Sequence, residues 1–575
     1  MKHVYRRGLS ALGVLLACAA LRPVHAAERI YASYSLFERS ISIEALEIFV
    51  REGRYTDNLI TYGRFFKRGQ LEQVRSGLRE RVDLDPLTIS QFLYTPIGER
   101  LLRRISEVVQ PKSGQGGFFA LRSALILAAA QEEGLTALNV LKQYPTQGIH
   151  VDLRTGLALF EEVQGLVAQT NQVVTAIESE AGKAEVSLSE SWTLDLARPG
   201  PERWRRISLP LTDNSKKRLD YTGRSRSFPV DLYLPVLDQA TARPMVVISH
   251  GLNSDRTSFV YLAEHLASWG YVVVVPEHPG SNKAQLEALL SGQANDVIDR
   301  MEFLDRPLDI SFTLDQLEQL STNTPDLAGR LDFNRVAVMG QSFGGYTALA
   351  LAGAKLDFNQ LSRDCAVNLD DTFNLSLLLQ CLNLRIPVQD YQLADPRIKS
   401  VIAMNPIGSS LFGPQGLSDI AIPTMIVGGS ADTVAPLVPE QVRPFSWLTT
   451  PQKYFVLINA GTHFSLIQVP EAEEEGNIPQ LEAFWGRRPD IAQDYLKALG
   501  LAFMNRHLSG IESYQPFLSS GYGAVLSQPP LPLSILSGGL PPVLNPVLDS
   551  GTNPPQASQP GPLVFTQPPP EGSRN

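Results

Sequence analysis

Positive charge is in short supply in this chain: 50 Lys and Arg stand against 59 Asp and Glu, for a formal net charge of -9. An acidic protein gains nothing from phosphate backbones, so nucleic acid is not an expected partner. Long hydrophobic runs are lacking as well. The apolar stretch Leu9 to Leu21 is too short to span a bilayer, and no later stretch reads as a span. Cysteine is rarer still, at three in 575 residues. What is plentiful is core material: 43% hydrophobic and 19% charged residues describe a soluble globular protein. The length calls for two folded units plus tails.

Residues 1–26 read as an export signal. Lys2, Arg6 and Arg7 form a basic start, the apolar stretch follows, and Val24-His25-Ala26 offers a small-residue cleavage site. The expected location is therefore periplasmic or extracellular. Losing this segment makes the protein about 4 units more negative. A second reading takes Leu15-Leu16-Ala17-Cys18 as a lipoprotein box with Cys18 lipidated. After cleavage Cys365 and Cys381 remain, 16 positions apart. In an oxidising compartment they suggest a disulfide; two buried thiols acting as small hydrophobes are the alternative.

Residues 27–180 read as an all-helical domain. Ile41 to Val50, Leu71 to Arg81, Pro96 to Val109 and Ala120 to Gln131 place apolar residues near helical spacing. Ser42 offers N-cap chemistry and Pro96 suits a first turn. The basic cluster Arg64, Lys67, Arg68, Arg75, Arg79 and Arg81 reads as a solvated helix face, with contact to an anionic surface as the sharper alternative; peripheral membrane contact of the protein is a further candidate. No grouping here carries chemistry.

From 185 to 535 the pattern is α/β. Short β-rich runs occur at Trp192 to Leu196, Arg206 to Leu211 and Pro229 to Leu234. Apolar strands at Pro244 to Ser249, Tyr271 to Pro276, Arg335 to Gly340, Val401 to Asn405, Pro423 to Gly428 and Tyr454 to Ile458 then alternate with helices. Strands apolar at successive positions are buried on both faces, as in a parallel, doubly wound sheet. Residues 536–575, rich in Pro, Gly, Ser and Gln, read as a disordered tail.

Gly340-Gln341-Ser342-Phe343-Gly344 joins the strand Arg335 to Met339 to a helix, which is the pattern of a nucleophile elbow. A serine needs a base, and the base an orienting acid. Downstream of Ser342 only His463 and His507 exist; His507 closes a helix, whereas His463 follows the strand Tyr454 to Ile458. Asp432 follows the strand Pro423 to Val427, while Asp419 precedes it and would lie at the wrong edge. Ser342, Asp432 and His463 are therefore the expected triad. The loop Ser249-His250-Gly251-Leu252-Asn253 follows another strand end, so the N–H groups of Leu252 and Phe343 are the expected oxyanion donors. His250 reads as a structural turn residue. No metal and no organic cofactor is expected.

The His250-Gly251-Leu252 loop, the serine elbow, Gly429-Ser430-Ala431-Asp432 and Gly461-Thr462-His463 resemble the dienelactone-hydrolase-like and platelet-activating-factor-acetylhydrolase-like branch of the α/β hydrolases, over about residues 205 to 510. Glu277-His278 is similar to a Glu-His pair of the acetylhydrolases, and the N-terminal region, with Tyr144-Pro145-Thr146-Gln147 near its end, resembles a domain of unknown function that precedes cyanobacterial hydrolases. Dienelactone hydrolases have cysteine where Ser342 stands, so the resemblance does not carry that reaction over. Plasma-type acetylhydrolases take their acid from an earlier strand, where this chain has Asn405.

The resemblance implies hydrolysis of lipid or short-chain acyl esters, with polyester or peptide hydrolysis as the alternative. A non-catalytic envelope scaffold is the reading from a different class. The segment 356–396, which carries Cys365 and Cys381, reads as a lid over the acyl pocket or as a plain surface excursion.

Overall fold

The computed structural model describes residues 26–34, 37–56, 59, 68–82, 84–183, 194–236, 241–368, 374–468 and 485–549. Residues 1–25 of the expected export signal, with Cys18, part of the basic cluster (Arg64 and Lys67) and the last 26 residues lie outside them. The chain divides into two compact units, Met1–Leu159 and Phe160–Asn575.

The first unit corrects the all-helical expectation. Strands β1 (Arg29–Tyr34), β2 (Phe37–Ser42), β4 (Val109–Pro111) and β6 (Gly148–Asp152) form a four-stranded sheet in the order β2-β1-β6-β4, and β3 (Arg81–Val82) pairs with β5 (Leu135–Thr136). The expected helices are present with shifted ends. Ser42 caps Ile43–Glu52 by accepting from the Ala45 N–H, and Thr95 caps Pro96–Val108, with Pro96 in the first turn. The core of this unit gathers Leu46, Phe49, Leu102, Leu121, Ala124, Tyr144 and Ile149.

The second unit carries a nine-stranded sheet. Its strands are β7 (Trp204–Asp213), β8 (Arg226–Pro235), β9 (Arg243–Ser249), β10 (Val272–Pro276), β11 (Leu331–Gln341), β12 (Ile398–Met404), β13 (Thr424–Gly429), β14 (Lys453–Ile458) and β15 (Leu533–Ser537). Their order is β15-β14-β13-β12-β11-β9-β10-β8-β7. Pairing is parallel from β10 through β14, while β7, β8 and β15 add antiparallel edges. The valine run of β10 shows why: all five residues are buried, so both faces of the sheet must be covered.

One cover packs Phe259, Leu262, Leu266, Tyr495, Leu499 and Phe503 on Val246, Ile248, Ala337 and Met339. The opposite cover sets Ile310, Leu314, Leu317, Ala348 and Leu351 against Val247, Val338 and Val401. Of the first β-rich run, Leu194 to Leu196 is irregular, and the rest lies outside the described residues. The tail expectation is also corrected. β15 runs to Ser537 and pairs with β14, and Asn545–Asp549 is helical. No helix among the described residues is long and apolar enough to cross a membrane.

Candidate active site

Three loops meet at the carboxyl end of the parallel strands. At the end of β11, Ser342 adopts φ 55 and ψ -114, and the helix Phe343–Leu351 starts directly after it. A non-glycine residue in this region is strained by about 1–3 kcal/mol, a cost the surrounding structure must overcome. Here the Ser342 N–H donates to Met404 O at 2.8 Å, fixing the turn against β12. Gly344 makes the close approach possible: a Cβ there would come within 2.0 Å of Ser249 O, in the loop after β9. Ser342 Oγ has no hydrogen-bond partner among the described residues, and Ser342 keeps 5% of its surface exposed.

His463 and Asp432 come together after β14 and β13. His463 Nδ1 donates to Asp432 Oδ2 at 2.7 Å, which leaves Nε2 as the free ring nitrogen. The carboxylate is held from four sides. Asn405 Nδ2 also reaches Oδ2, at 2.7 Å, and the N–H groups of Val434 and Ala435 donate to Oδ1 at 2.9 and 2.8 Å. The two loops touch through backbone, since a Cβ on Gly429 would lie 2.3 Å from Gly461 O.

The link from this pair to the serine runs through Gln341, whose Nε2 donates to His463 O at 3.0 Å. Imidazole and carboxylate thus stand at the serine's end of the sheet. Asp419 lies elsewhere, paired with Lys355 at 2.9 Å, and His507 faces the Tyr454 hydroxyl at 3.1 Å.

The loop after β9 is locked from below. The His278 N–H donates to His250 Nε2 at 3.1 Å, so His250 carries its proton on Nδ1 and donates to Gly251 O at 2.8 Å. Burial, with the Arg306 guanidinium close by, holds His250 well below the usual imidazole range. His278 is held down by the same causes, and bridges Ser249 Oγ at 3.0 Å and Asp309 Oδ2 at 2.9 Å.

Around them lies a buried ion network. Arg218 pairs with Asp213, Asp305 and Asp309, and Arg226 with Glu302, Asp305 and Asp309. Arg306 reaches Glu302, and Arg224 closes on Asp305 from the surface. Arg224 also pairs with Asp299, and removing any one of the buried partners leaves a buried charge uncompensated. The N–H groups of Leu252 and Phe343 have no acceptor among the described residues.

Cys365 and Cys381 are joined in a disulfide, with Cα atoms 5.9 Å apart. Among the described residues no group of His, Cys, Asp or Glu is arranged to hold a metal ion. Sequence reasoning missed Gln341 and Arg306 as participants. The motif position of Gln341 is its only signal; Arg306 has none, because His250, Gly251 and Phe343 lie far from it in the chain.

Residues 26–152 match a family described as "Alpha/beta hydrolase of unknown function (DUF1400)". Residues 229–304, which include the His250 loop and Glu277-His278, match "Platelet-activating factor acetylhydrolase, isoform II". Among named proteins, Cutinase 2 of Thermobifida cellulosilytica is 24% identical over 284 residues, 48% of this chain and 72% of that protein. Cutinase cut1 of Thermobifida fusca is 24% identical over the same length, covering 60% of that protein. Bis(hydroxyethyl) terephthalate hydrolase of Streptomyces coelicolor is 24% identical over 257 residues, 44% of this chain and 60% of that protein. With the mostly parallel sheet and the strand–serine–helix elbow, these matches place the chain in the α/β-hydrolase superfamily, where it groups with carboxylic ester hydrolases.

Proposed function

We propose that the chain cleaves carboxylic esters through an acyl-enzyme on Ser342. Ser342 Oγ attacks the acyl carbon, His463 Nε2 takes its proton and returns it to the leaving alcohol, and Asp432 fixes the imidazole tautomer. The N–H groups of Leu252 and Phe343 receive the oxyanion. Water, activated by the same imidazole, then releases the acid. The observation that carries this reading is the His463 Nδ1 to Asp432 Oδ2 bond of 2.7 Å, set beside a serine at φ 55.

Lipid or short-chain acyl esters are the proposed substrates, supported by the acetylhydrolase match over residues 229–304. A polyester is the second reading, favoured by likeness to cutinases and to a terephthalate ester hydrolase. The basic leader favours an exported protein, and the segment 356–396 is proposed as a lid.

The deciding experiment is p-nitrophenyl ester turnover with fluorophosphonate labelling of the purified protein. Ser342→Ala is expected to abolish both. A wild-type protein that turns over no ester and takes no label overturns the reading in favour of a scaffold.

A further inference from the structure

The geometry assigns Arg306 the task of positioning both main-chain donors of the oxyanion site. The assignment rests on the reading of Leu252 and Phe343 as those donors, and it adds a residue that contacts the Phe343 ring and the Gly251 carbonyl, which shares its peptide with the Leu252 N–H. Arg306 is fully buried. Its Nη1 donates to His250 O at 2.6 Å and its Nη2 to Gly251 O at 3.2 Å. In a trans peptide the C=O and the next N–H point in opposite directions. Holding Gly251 O toward the guanidinium therefore turns the Leu252 N–H away from it. His250 Nδ1–H strengthens the same hold from the other side. The loop lies against the elbow, since a Cβ on Gly251 would come within 2.2 Å of Gln341 Oε1.

The second contact is with the other donor residue. The guanidinium carbon of Arg306 stands 4.4 Å from the centre of the Phe343 ring, a cation–π distance. Phe303 packs on the same ring with centroids 4.5 Å apart. Phe343 opens its helix, so its N–H has no intrahelical partner, and its side chain is pinned by a charge that also fixes Gly251. One rigid fork spans both residues, which a lysine ammonium cannot do.

Arg306 is itself held in place. Its Nε donates to Ser281 Oγ at 2.9 Å, and Glu302 Oε2 lies 3.7 Å away. Burial pulls the guanidinium down to about 10 while the Glu302 carboxylate opposes that pull, so it stays protonated at neutral pH. A residue needed only to fill this space would be apolar, because burying a charge is costly even with partners.

The test compares full-length wild type, Arg306→Lys and Ser281→Ala, each checked for folding by circular dichroism. Three quantities are read: kcat and KM for p-nitrophenyl butyrate, inhibition by a butyl boronic acid (a tetrahedral mimic), and inhibition by butyrate. Loss of one oxyanion donor typically costs about 10²–10³ in kcat. Arg306→Lys is expected to lose about 100-fold in kcat with KM held within about threefold, and boronate affinity should fall in step while butyrate affinity stays. Ser281→Ala is expected to show the same pattern at about five- to tenfold.

Wild-type kcat in folded Arg306→Lys overturns the assignment. So does a parallel loss of boronate and butyrate binding, which is what general loosening of the site would give. If Arg306→Lys does not fold, Ser281→Ala decides by the same criteria. Ester turnover that survives Ser342→Ala sinks the proposed function instead, whatever Arg306 does.

Discussion

Asn405 Nδ2 and His463 Nδ1 each lie 2.7 Å from the same oxygen, Oδ2 of Asp432. Asn405 follows β12, one strand nearer the serine than the acid, and is held at φ 43. Its amide can only donate to the carboxylate, so it supports Asp432 without competing for the proton. Asp432→Asn should lower kcat for a p-nitrophenyl ester by about 10⁴, because the imidazole tautomer is no longer fixed. Adding Asn405→Asp to that variant places a carboxylate beside the same imidazole and should recover at least about tenfold. No recovery would mean that the position after β12 cannot reach the histidine. Asn405→Asp alone sets two carboxylates in hydrogen-bonding contact and should lower turnover at neutral pH.

The elbow depends on the lack of a side chain at Gly344. A Cβ there would meet Ser249 O at 2.0 Å and His250 O at 2.9 Å, both backbone atoms that cannot swing aside. Gly344→Ala should therefore destabilise by about 1–3 kcal/mol and push the β9 loop away from Ser342. Urea unfolding reads the first effect and the rate of fluorophosphonate labelling the second. Labelling at the wild-type rate would show that the loop's position does not matter.

Acid should weaken the fold through its buried histidines. Burial, with the Lys497 ammonium adding to it, takes His265 down to about 4, against about 6.5 when unfolded. Between those values the unfolded chain binds the extra proton. Stability is therefore lost as pH falls from about 6.5 to about 4, by up to about 1.4 kcal/mol per pH unit for this group. His250 and His278 act with the same sign. Glu302, Asp305 and Glu440 act oppositely: burial raises each, so their contribution is present at low pH and lost as pH rises through the raised value. The difference between variants isolates one group. His265→Leu should flatten the urea-stability slope between about pH 6.5 and 4 by roughly one proton, whereas parallel curves would show His265 charged in the fold.

What could be read from the sequence tracks how local each signal is. Val272 to Val275 announce a strand buried on both faces, and Gly340 to Gly344 announce the elbow, because the residues that decide each are neighbours. The order serine, acid, histidine supplies the rest of the proposed triad. The N-terminal sheet was hidden: RIYASY and FERSIS are short and mixed in polarity, and β1 finds β6 more than a hundred residues away. The strand β15 was masked by the prolines around it. Nothing local distinguishes Asp305-Arg306-Pro307-Leu308-Asp309 from a solvated helix face. Their burial follows from Arg218 and Arg226, which lie between 79 and 91 positions away from Asp305 and Asp309.

The insertion is fastened to the acid loop. Ser376 N donates to Val434 O at 3.0 Å, and Asn374 and Gln380 both donate to the buried Glu440 carboxylate, at 2.8 and 3.2 Å. The disulfide ties the helix Phe358–Asn368 to the end of that fastened segment. Replacing both cysteines by alanine should cost about 3 kcal/mol, from the loop entropy returned to the unfolded chain. If the insertion acts as a lid, the ratio of long-chain to short-chain ester turnover should also change by about threefold or more. An unchanged ratio with lowered stability would make it a surface excursion.

The two amide atoms of Gln341 serve different loops. Nε2 donates to His463 O at 3.0 Å, while Oε1 lies where any side chain on Gly251 would collide with it. Gln341→Met keeps the shape and removes the donor. The buried His463 carbonyl is then left without its partner, at about 1–3 kcal/mol. That loss falls on the segment that aims the imidazole, and KM depends little on imidazole direction. The expected result is a kcat lower by about tenfold with KM within about threefold. Gln341→Glu is the sharper comparison. It keeps the shape but, when ionised, presents two acceptors to a carbonyl, so it should lose more activity than Met and regain some as pH falls toward the carboxyl's own range. Equal kcat in all three proteins would mean that the histidine loop holds its position through Gly429 and Gly461 alone.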